Sequence, residues 1–102
     1  MKSLPISLIN KIPPLYGQDG KGSNALAFVT LFTPDSHFTW YITELDPEEG
    51  LCFGLVVGFE KELGYFSLNE IEQIKGPMGL EVERDTSFQP TKLKNLGFDY
   101  GK

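Results

Sequence analysis

A glycine-rich segment near the start of the chain has the residue types of an anion site. Residues 17–23 read Gly-Gln-Asp-Gly-Lys-Gly-Ser, and clustered glycine N–H groups beside a lysine can surround a phosphate. A phosphate loop, however, has four residues between its glycines, follows a strand and opens a helix. This segment follows a Pro13-Pro14 pair and precedes a predicted strand. We therefore interpret it as a flexible loop, with an anion site as the less favoured alternative.

Four acidic residues near the middle of the chain have the residue types of a cation site. They are Glu44, Asp46, Glu48 and Glu49, and carboxylate oxygens suit Ca²⁺ or Mg²⁺. Pro47 interrupts the cluster, and the spacing matches no calcium loop. The pattern favours a solvated acidic turn whose charges are available to a basic partner.

The other chemistry-bearing side chains predict neither a zinc site nor a nucleophile with its base. His37 is the only histidine and Cys52 the only cysteine, whereas a structural zinc takes four such ligands. Cys52 lies in the most apolar segment, where a thiol behaves as a small core residue. We predict no catalytic residue, metal or cofactor, and a protein that is not an enzyme. Carboxylates converging in a pocket would be the enzymatic alternative.

The elements that must position these residues form a single predicted α+β domain over residues 1–102. Its sheet is predicted to be an antiparallel meander of four to five strands, accompanied by two short helices. Helices are expected over about residues 4–12 and 68–75, strands over 25–32, 37–45, 51–59 and 63–66, and a short edge strand over 80–84. The tail beyond about residue 97 is expected to fray.

Alternation within the predicted strands separates core positions from exposed ones. Trp40 is predicted to be in the core, whereas Tyr41 on the opposite face is either part of a recognition surface or covered by the second helix. Gly54 and Gly58 fall on the small face of the third strand. Such glycines predict the close approach of a helix or of another backbone.

The charge distribution predicts which partners the protein attracts. The net charge is −5, but residues 35–85 alone carry twelve acidic side chains against three basic ones. This balance disfavours nucleic acid and anionic membranes and favours a basic protein surface. The predicted partner-binding residues are two tyrosines and six acids: Tyr16, Tyr41, Glu44, Asp46, Glu48, Glu49, Glu60 and Glu62.

The chain also carries a long ordered set of short motifs. They are Pro13-Pro14-Leu15-Tyr16, Gly20-Lys21-Gly22, Phe32-Thr33-Pro34-Asp35, Thr39-Trp40-Tyr41, Glu44 through Glu49, Phe53-Gly54-Leu55-Val56, Glu62-Leu63-Gly64-Tyr65-Phe66-Ser67-Leu68, Gly76-Pro77, Gly79-Leu80 and Glu83-Arg84-Asp85. Over roughly residues 6–93 this set resembles the uncharacterised domain-of-unknown-function family 2958 of conjugative plasmids and other mobile elements. The resemblance implies a bacterial, cytoplasmic accessory protein and gives no catalytic residue.

Three functions are compatible with these observations. The leading hypothesis is a cytoplasmic, non-enzymatic accessory protein that binds a basic protein surface, such as that of a host defence or nucleic-acid-handling protein. A second is an inhibitor of host defence, of the anti-CRISPR or anti-restriction kind, that mimics the charge of DNA. The third is a nucleic-acid-binding protein of plasmid transfer that uses the basic flanks, with Lys2, Lys11, Lys21, Lys92 and Lys94.

Overall fold

The computed structural model describes residues 4–98, and its two antiparallel sheets and two short helices confirm the predicted α+β class. The helices are α1 (Ile6–Ile9) and α2 (Leu68–Glu72). The strands, in chain order, are β1 (Leu26–Ala27), β2 (Val29–Phe32), β3 (Thr39–Asp46), β4 (Leu51–Val57), β5 (Lys61–Ser67), β6 (Glu83–Arg84) and β7 (Thr91–Lys92). Short 3₁₀ turns lie at Gly22–Asn24 and Leu93–Leu96.

The larger sheet is the predicted meander, with the strand order β5-β4-β3-β2-β6. The β2–β3 hairpin turns where the Thr-Pro-Asp-Ser sequence indicates, and Thr33 Oγ1 accepts a hydrogen bond from Phe38 N at 3.2 Å. The next turn closes with a bond from Gly50 N to Asp46 O at 2.8 Å, and Gly50 has a φ of 70°, which glycine adopts without steric cost. Local turn chemistry thus sets the order of the strands.

The segment predicted as one strand, residues 25–32, is divided between the two sheets. β2 pairs with β3, whereas β1 pairs with β7, placing Leu26 opposite Lys92. β3 also contains a bulge, seen as a shift in its register with β4 between Ile42 and Glu44. A bulge bends its strand and interrupts pairing. The prediction of a single strand over 25–32 is therefore wrong.

Two hydrophobic clusters occupy the opposite faces of the larger sheet. In the first cluster, α1 and α2 cover the sheet face that carries Trp40 and Cys52, and Leu68 of α2 packs against it. Trp40 is 7% exposed, which confirms its predicted core position. The second cluster contains Ala27, Leu55 and Leu93 at its centre. The sheet is therefore the middle layer of the domain.

The second face is covered by the last part of the described chain and not by α2. Tyr41 is half-buried on this face, and its ring centroid lies 6.0 Å from that of Phe88. Leu93 is 1% exposed and packs in the same cluster. The alternative in which the second helix covers Tyr41 is wrong, because α2 packs on the Trp40 face through Leu68 and Ile71.

Gly54 confirms the predicted close approach on the small face of β4. A Cβ built on Gly54 would lie 1.9 Å from the backbone carbonyl oxygen of Tyr41 in the neighbouring strand. Gly58 lies against a side chain instead, with its Cβ position 2.4 Å from the Phe38 ring. Glycine is required at position 54 because backbone, which cannot move aside, occupies the space.

The helices are shorter than predicted. α1 covers only Ile6–Ile9 of the predicted 4–12, and Pro5 precedes it. α2 ends at Glu72, and Ser67 Oγ caps it by accepting a hydrogen bond from Glu70 N at 3.3 Å. β6 confirms an edge strand near residues 80–84. Residues 99–102 of the predicted fraying tail lie outside the description, and no helix within residues 4–98 has the length and apolarity to cross a membrane.

Candidate functional site

A groove of about 620 Å³ lies between the loop that follows α1, strand β5 and the end of the described chain. We call it the tyrosine groove. Its lining includes Tyr16, Asp19, Glu44, Phe53, Leu63 and Tyr65. These residues come from three separate parts of the sequence, which the bulged β3 and the β4–β5 hairpin bring together.

Glu44 forms the floor of the groove and fixes the loop to the sheet. Its Oε1 accepts a hydrogen bond from Tyr16 N at 2.8 Å, and its Oε2 accepts one from Gln18 N at 2.9 Å. The side chain is only 6% exposed. The prediction that Glu44 belongs to a solvated acidic turn is therefore wrong, because the bulge turns it toward the loop.

The same contacts bear on the alternative of an anion site in the glycine-rich segment. The N–H groups of Tyr16, just before the segment, and of Gln18, within it, already bind an anion, and that anion is the protein's own carboxylate, Glu44. Gln18 fixes the segment further, because its amide donates to Leu26 O and Thr43 O, each at 2.8 Å, and accepts from Leu26 N at 2.7 Å. The loop is thus bonded to both β1 and β3.

Tyr16 has a strained backbone and an exposed ring. Its φ is 69°, and it is the only non-glycine residue with positive φ among residues 4–98. This conformation costs a bulky side chain on the order of 1–3 kcal/mol and concentrates at functional sites. The bond from Tyr16 N to Glu44 maintains it. Tyr16 is 68% exposed, so its strained backbone presents a large aromatic side chain to the solvent.

Tyr65 lies on β5, the strand that borders the groove. A side-chain hydrogen bond with Tyr16 is the main cause that raises the pKa of the Tyr65 hydroxyl, with nearby Glu44 and Asp19 adding to it. The Tyr65 ring also packs against Phe53, with centroids 4.9 Å apart and an interplanar angle of 64°. The two tyrosines and Phe53 therefore form one aromatic wall.

The charge within the groove is predominantly negative. Asp19, Glu44 and Glu62 line it, and Lys61 is the single basic residue among the lining residues described. Lys61 Nζ donates a hydrogen bond to Gly97 O at 3.2 Å. Aromatic faces beside carboxylates attract cations through ring quadrupoles and direct charge.

The other predicted acidic residues divide into two groups at opposite ends of β4. Asp46 ends β3 and Glu48 and Glu49 lie in the turn before β4, whereas Glu60 lies in the turn after β4 and Glu62 lies near the start of β5. A strand of seven residues, as β4 is, spans roughly 20 Å. The structure therefore does not bring the predicted acidic set together on one surface.

Tyr41, His37 and Cys52 lie away from the groove lining. Burial raises the pKa of the Tyr41 hydroxyl, and Asp85 raises it further. His37 is exposed, whereas Cys52 is fully buried. Burial, with a smaller contribution from Glu72, raises the pKa of the Cys52 thiol from its ordinary 9.0 to about 12. Within residues 4–98, no three His, Cys, Asp or Glu side chains are grouped to hold a metal.

Sequence reasoning found Tyr16, Glu44 and Glu62 and missed the rest of the site. Tyr65 could have been found, because alternation along β5 places it on the same face as the partly buried Leu63 yet near the strand's end. Gln18 and Asp19 carry no comparable signal. The position of Gln18 depends on hydrogen bonds to a strand that follows later in the chain, and Asp19 is its neighbour in the same loop.

A family model described as "Protein of unknown function (DUF2958)" matches residues 15–95. The chain belongs to this family. The matched span includes Tyr16, Glu44 and Tyr65, and it confirms the resemblance carried by the sequence motifs. Comparison with curated proteins and with solved structures gives no match.

Proposed function

We propose that this protein is a non-enzymatic binding module that holds a basic segment of a partner protein in the tyrosine groove. The observation that supports this most strongly is the combination of strain and exposure at Tyr16. Its backbone is held at a φ of 69° by the buried Glu44, while its ring is 68% exposed. Exposed tyrosine contributes a large contact area at low entropic cost.

The charges of the groove favour a protein partner with lysine or arginine. Asp19, Glu44 and Glu62 repel a phosphate backbone at the site where the aromatic side chains are most accessible. The predicted nucleic-acid surface would have to use exposed lysines such as Lys11, Lys21 and Lys92, on a chain whose net charge is −5. The accessory role in a bacterial mobile element belongs to the same proposal, since defence and nucleic-acid-handling proteins present basic surfaces.

Nuclear magnetic resonance titration of the ¹⁵N-labelled protein tests the proposal. The probes are an oligo-arginine peptide, an oligo-glutamate peptide of equal length and a short DNA duplex, at about 0.1 M salt. We expect the arginine peptide alone to shift the amide signals of Tyr16, Asp19 and Tyr65. Tyr16→Ala should weaken its affinity about tenfold or more, as loss of an aromatic anchor does.

The matched control is the double variant Glu48→Gln with Glu49→Gln, which removes two exposed charges from the turn at the far end of β4. We expect this variant to retain affinity within about twofold, because rim charges contribute little. If the turn variant loses affinity and Tyr16→Ala does not, the groove is not the binding site. Binding of DNA without binding of the arginine peptide would contradict the proposed class of partner.

A further inference from the structure

We propose that the partner segment binds as an additional antiparallel strand along the outer edge of β5, an inference that rests on the proposed function. β5 is the terminal strand of the larger sheet, and no strand within residues 4–98 pairs with its outer side. Strand addition supplies affinity through main-chain hydrogen bonds and specificity through pockets for alternate side chains. Both components are present at this edge.

The pairing of β5 with β4 defines which backbone groups point outward. Leu68 N donates to Gly50 O at 2.8 Å, and Gly58 N donates to Glu60 O at 3.0 Å. In an antiparallel ladder, bonded pairs alternate with non-bonded pairs, so the even-numbered residues of β5 bond to β4. The N–H and C=O groups of its odd-numbered residues, Lys61, Leu63, Tyr65 and Ser67, therefore point away from the sheet.

A groove lies on each face of this edge. The tyrosine groove receives Leu63 and Tyr65 from β5. On the other face, a cavity of about 420 Å³ is lined by Phe38, Val56, Phe59 and Gly64, among others, and we call it the hairpin groove. Successive side chains of a strand point to opposite faces, so an added strand would direct alternate side chains into the two grooves.

The edge has only one of the usual protections against pairing, the charged residues Lys61 and Glu62 at its start. β5 pairs with β4 through seven residues without a register shift, contains no proline and has Gly64 at its centre, where a Cβ would contact nothing within 4 Å. Exposed edges are ordinarily shortened, bulged, blocked by proline or lined with charged side chains, and the central and C-terminal part of β5, from Leu63 to Ser67, has none of these. The opposite edge, β6, has only two residues. A long, straight edge with an open centre suits the approach of another backbone.

The two grooves differ in chemistry, which defines the occupant. The tyrosine groove places Asp19 and Glu44 beside its aromatic wall, and this suits lysine or arginine. The hairpin groove contains Phe59, which is 96% exposed and packs edge-on against Phe38 with ring centroids 6.0 Å apart. It suits aliphatic side chains, with Glu60 and Glu62 at its rim. The occupant is an extended segment in which basic and apolar residues alternate.

Alternate N-methylation of a peptide tests the strand geometry directly. The probe is a peptide of about nine residues in which valine and lysine alternate, long enough to cover a seven-residue strand. In an antiparallel pair, the residues that bond to β5 share the face of Leu63 and Tyr65, so the lysines would supply the bonded N–H groups. Methylating the lysine N–H groups should weaken binding at least tenfold, whereas methylating those of valine should change it less than threefold.

Each result is decisive for the proposal. Loss confined to the valine-methylated peptide would support strand addition with a parallel direction, which would correct the direction proposed. Equal losses, or failure of the unmodified peptide while oligo-arginine still binds, would overturn strand addition and leave the proposed function intact. Failure of both unmodified peptides would overturn the proposed function itself.

Two variants at position 65 distinguish binding through the backbone of β5 from binding through the Tyr65 ring. Tyr65→Pro removes an outward N–H and no bond to β4, and proline is tolerated at such edge positions. Tyr65→Thr removes the same ring and retains the N–H group. Circular dichroism first verifies that both fold. We expect the proline variant to bind the valine–lysine peptide at least tenfold more weakly than the threonine variant, and equal affinities would contradict the inference. A dimer in sedimentation that dissociates only in Tyr65→Pro would assign the edge to a second copy and overturn it as well.

Discussion

Glu44 illustrates how a charged residue can be an internal ligand. Its carboxylate accepts one backbone N–H on each oxygen and is 6% exposed. Hydrogen bonds to a charged acceptor contribute more than neutral ones, because the alternative is a buried charge without partners. The shape of the groove therefore depends on Glu44, because its carboxylate holds the loop in place through these two hydrogen bonds.

Replacing Glu44 with glutamine tests this role. The amide keeps the size of the side chain but places an NH₂ group against one of the two backbone donors, so Glu44→Gln should lower the free energy of unfolding by about 2 kcal/mol. Urea denaturation measures the change. Glu48→Gln, in the exposed turn, is the matched control and should remain within about 0.5 kcal/mol of the parent. Similar values for the two variants would show that the bonds of Glu44 contribute nothing net.

At this scale the sequence identified residue types better than their surroundings. Tyr16 and Glu44 were both predicted to face a partner, and only Tyr16 is exposed. The acidic stretch around Glu44 resembles a solvated turn as long as each residue is considered with its chain neighbours. The N–H groups that bind Glu44 come from residues 26 to 28 positions earlier, which no local pattern reports.

Among the elements, β4 is constrained more tightly than β5. Gly54 and Gly64 lie directly opposite each other in the β4–β5 ladder, yet their surroundings differ. A Cβ at position 54 would lie 1.9 Å from the Tyr41 carbonyl oxygen, whereas a Cβ at position 64 would contact nothing within 4 Å. The central strand is enclosed by backbone, and the edge strand is open.

An alanine at each position tests the contrast. Gly54→Ala should destabilise the protein by about 3 kcal/mol, because overpacking against backbone cannot be relieved by a rotamer change. Gly64→Ala should be neutral or stabilising by up to about 1 kcal/mol, since alanine restricts the unfolded chain. Thermal and urea unfolding of the pair measure both values. Equal destabilisation would mean that the approach of β3 at Tyr41 relaxes freely.

The strand pattern predicted the elements well and their interruptions poorly. Alternation and turn residues predicted the hairpins of the meander, which are local features. The bulge at Thr43 was not predicted, although Ile42 and Leu45 are both buried in one cluster only three residues apart, a spacing that strand alternation alone does not allow. The bulge belongs to the pairing of β3 with β4, and it lies next to Glu44 and opposite the point where residues 25–32 divide between the two sheets.

For the whole molecule, the buried thiol links stability to pH. Cys52 has a pKa near 12 in the folded state, raised from 9.0 chiefly by burial. Above about pH 9 the unfolded chain loses this proton while the folded protein retains it, so the unfolded state is favoured as pH rises. Stability from this group is complete below pH 9 and is lost progressively toward pH 12, by up to about 1.4 kcal/mol per pH unit.

Urea denaturation at pH 8 and pH 10 measures this loss. The parent protein should be less stable at pH 10, and Cys52→Ala should show a shallower decline, because alanine has no proton to lose. Tyr41, whose pKa burial also raises, contributes only above its ordinary 10.0 and is present in both proteins. Identical declines in the parent and Cys52→Ala would contradict the linkage.

The arrangement of layers was predictable only in part. The α+β class, the meander and the core position of Trp40 followed from composition and periodicity. The cover of the second face did not, because Phe88 and Leu93 follow a segment without a strong pattern and pack on Tyr41 and Leu55 far earlier in the chain. Such long-range contacts cost loop-closure entropy and leave no local signature.

The β1–β7 pair has a consequence for the nascent chain on the ribosome. Leu26 finds its partner strand only when Lys92 has been synthesised, and Leu93 then follows into the cluster that contains Ala27 and Leu55. Until that point one side of the newly made meander faces water or a chaperone. A premature stop codon shortly after residue 85 would therefore release a sheet with one bare apolar side, the kind of product that cellular quality control removes.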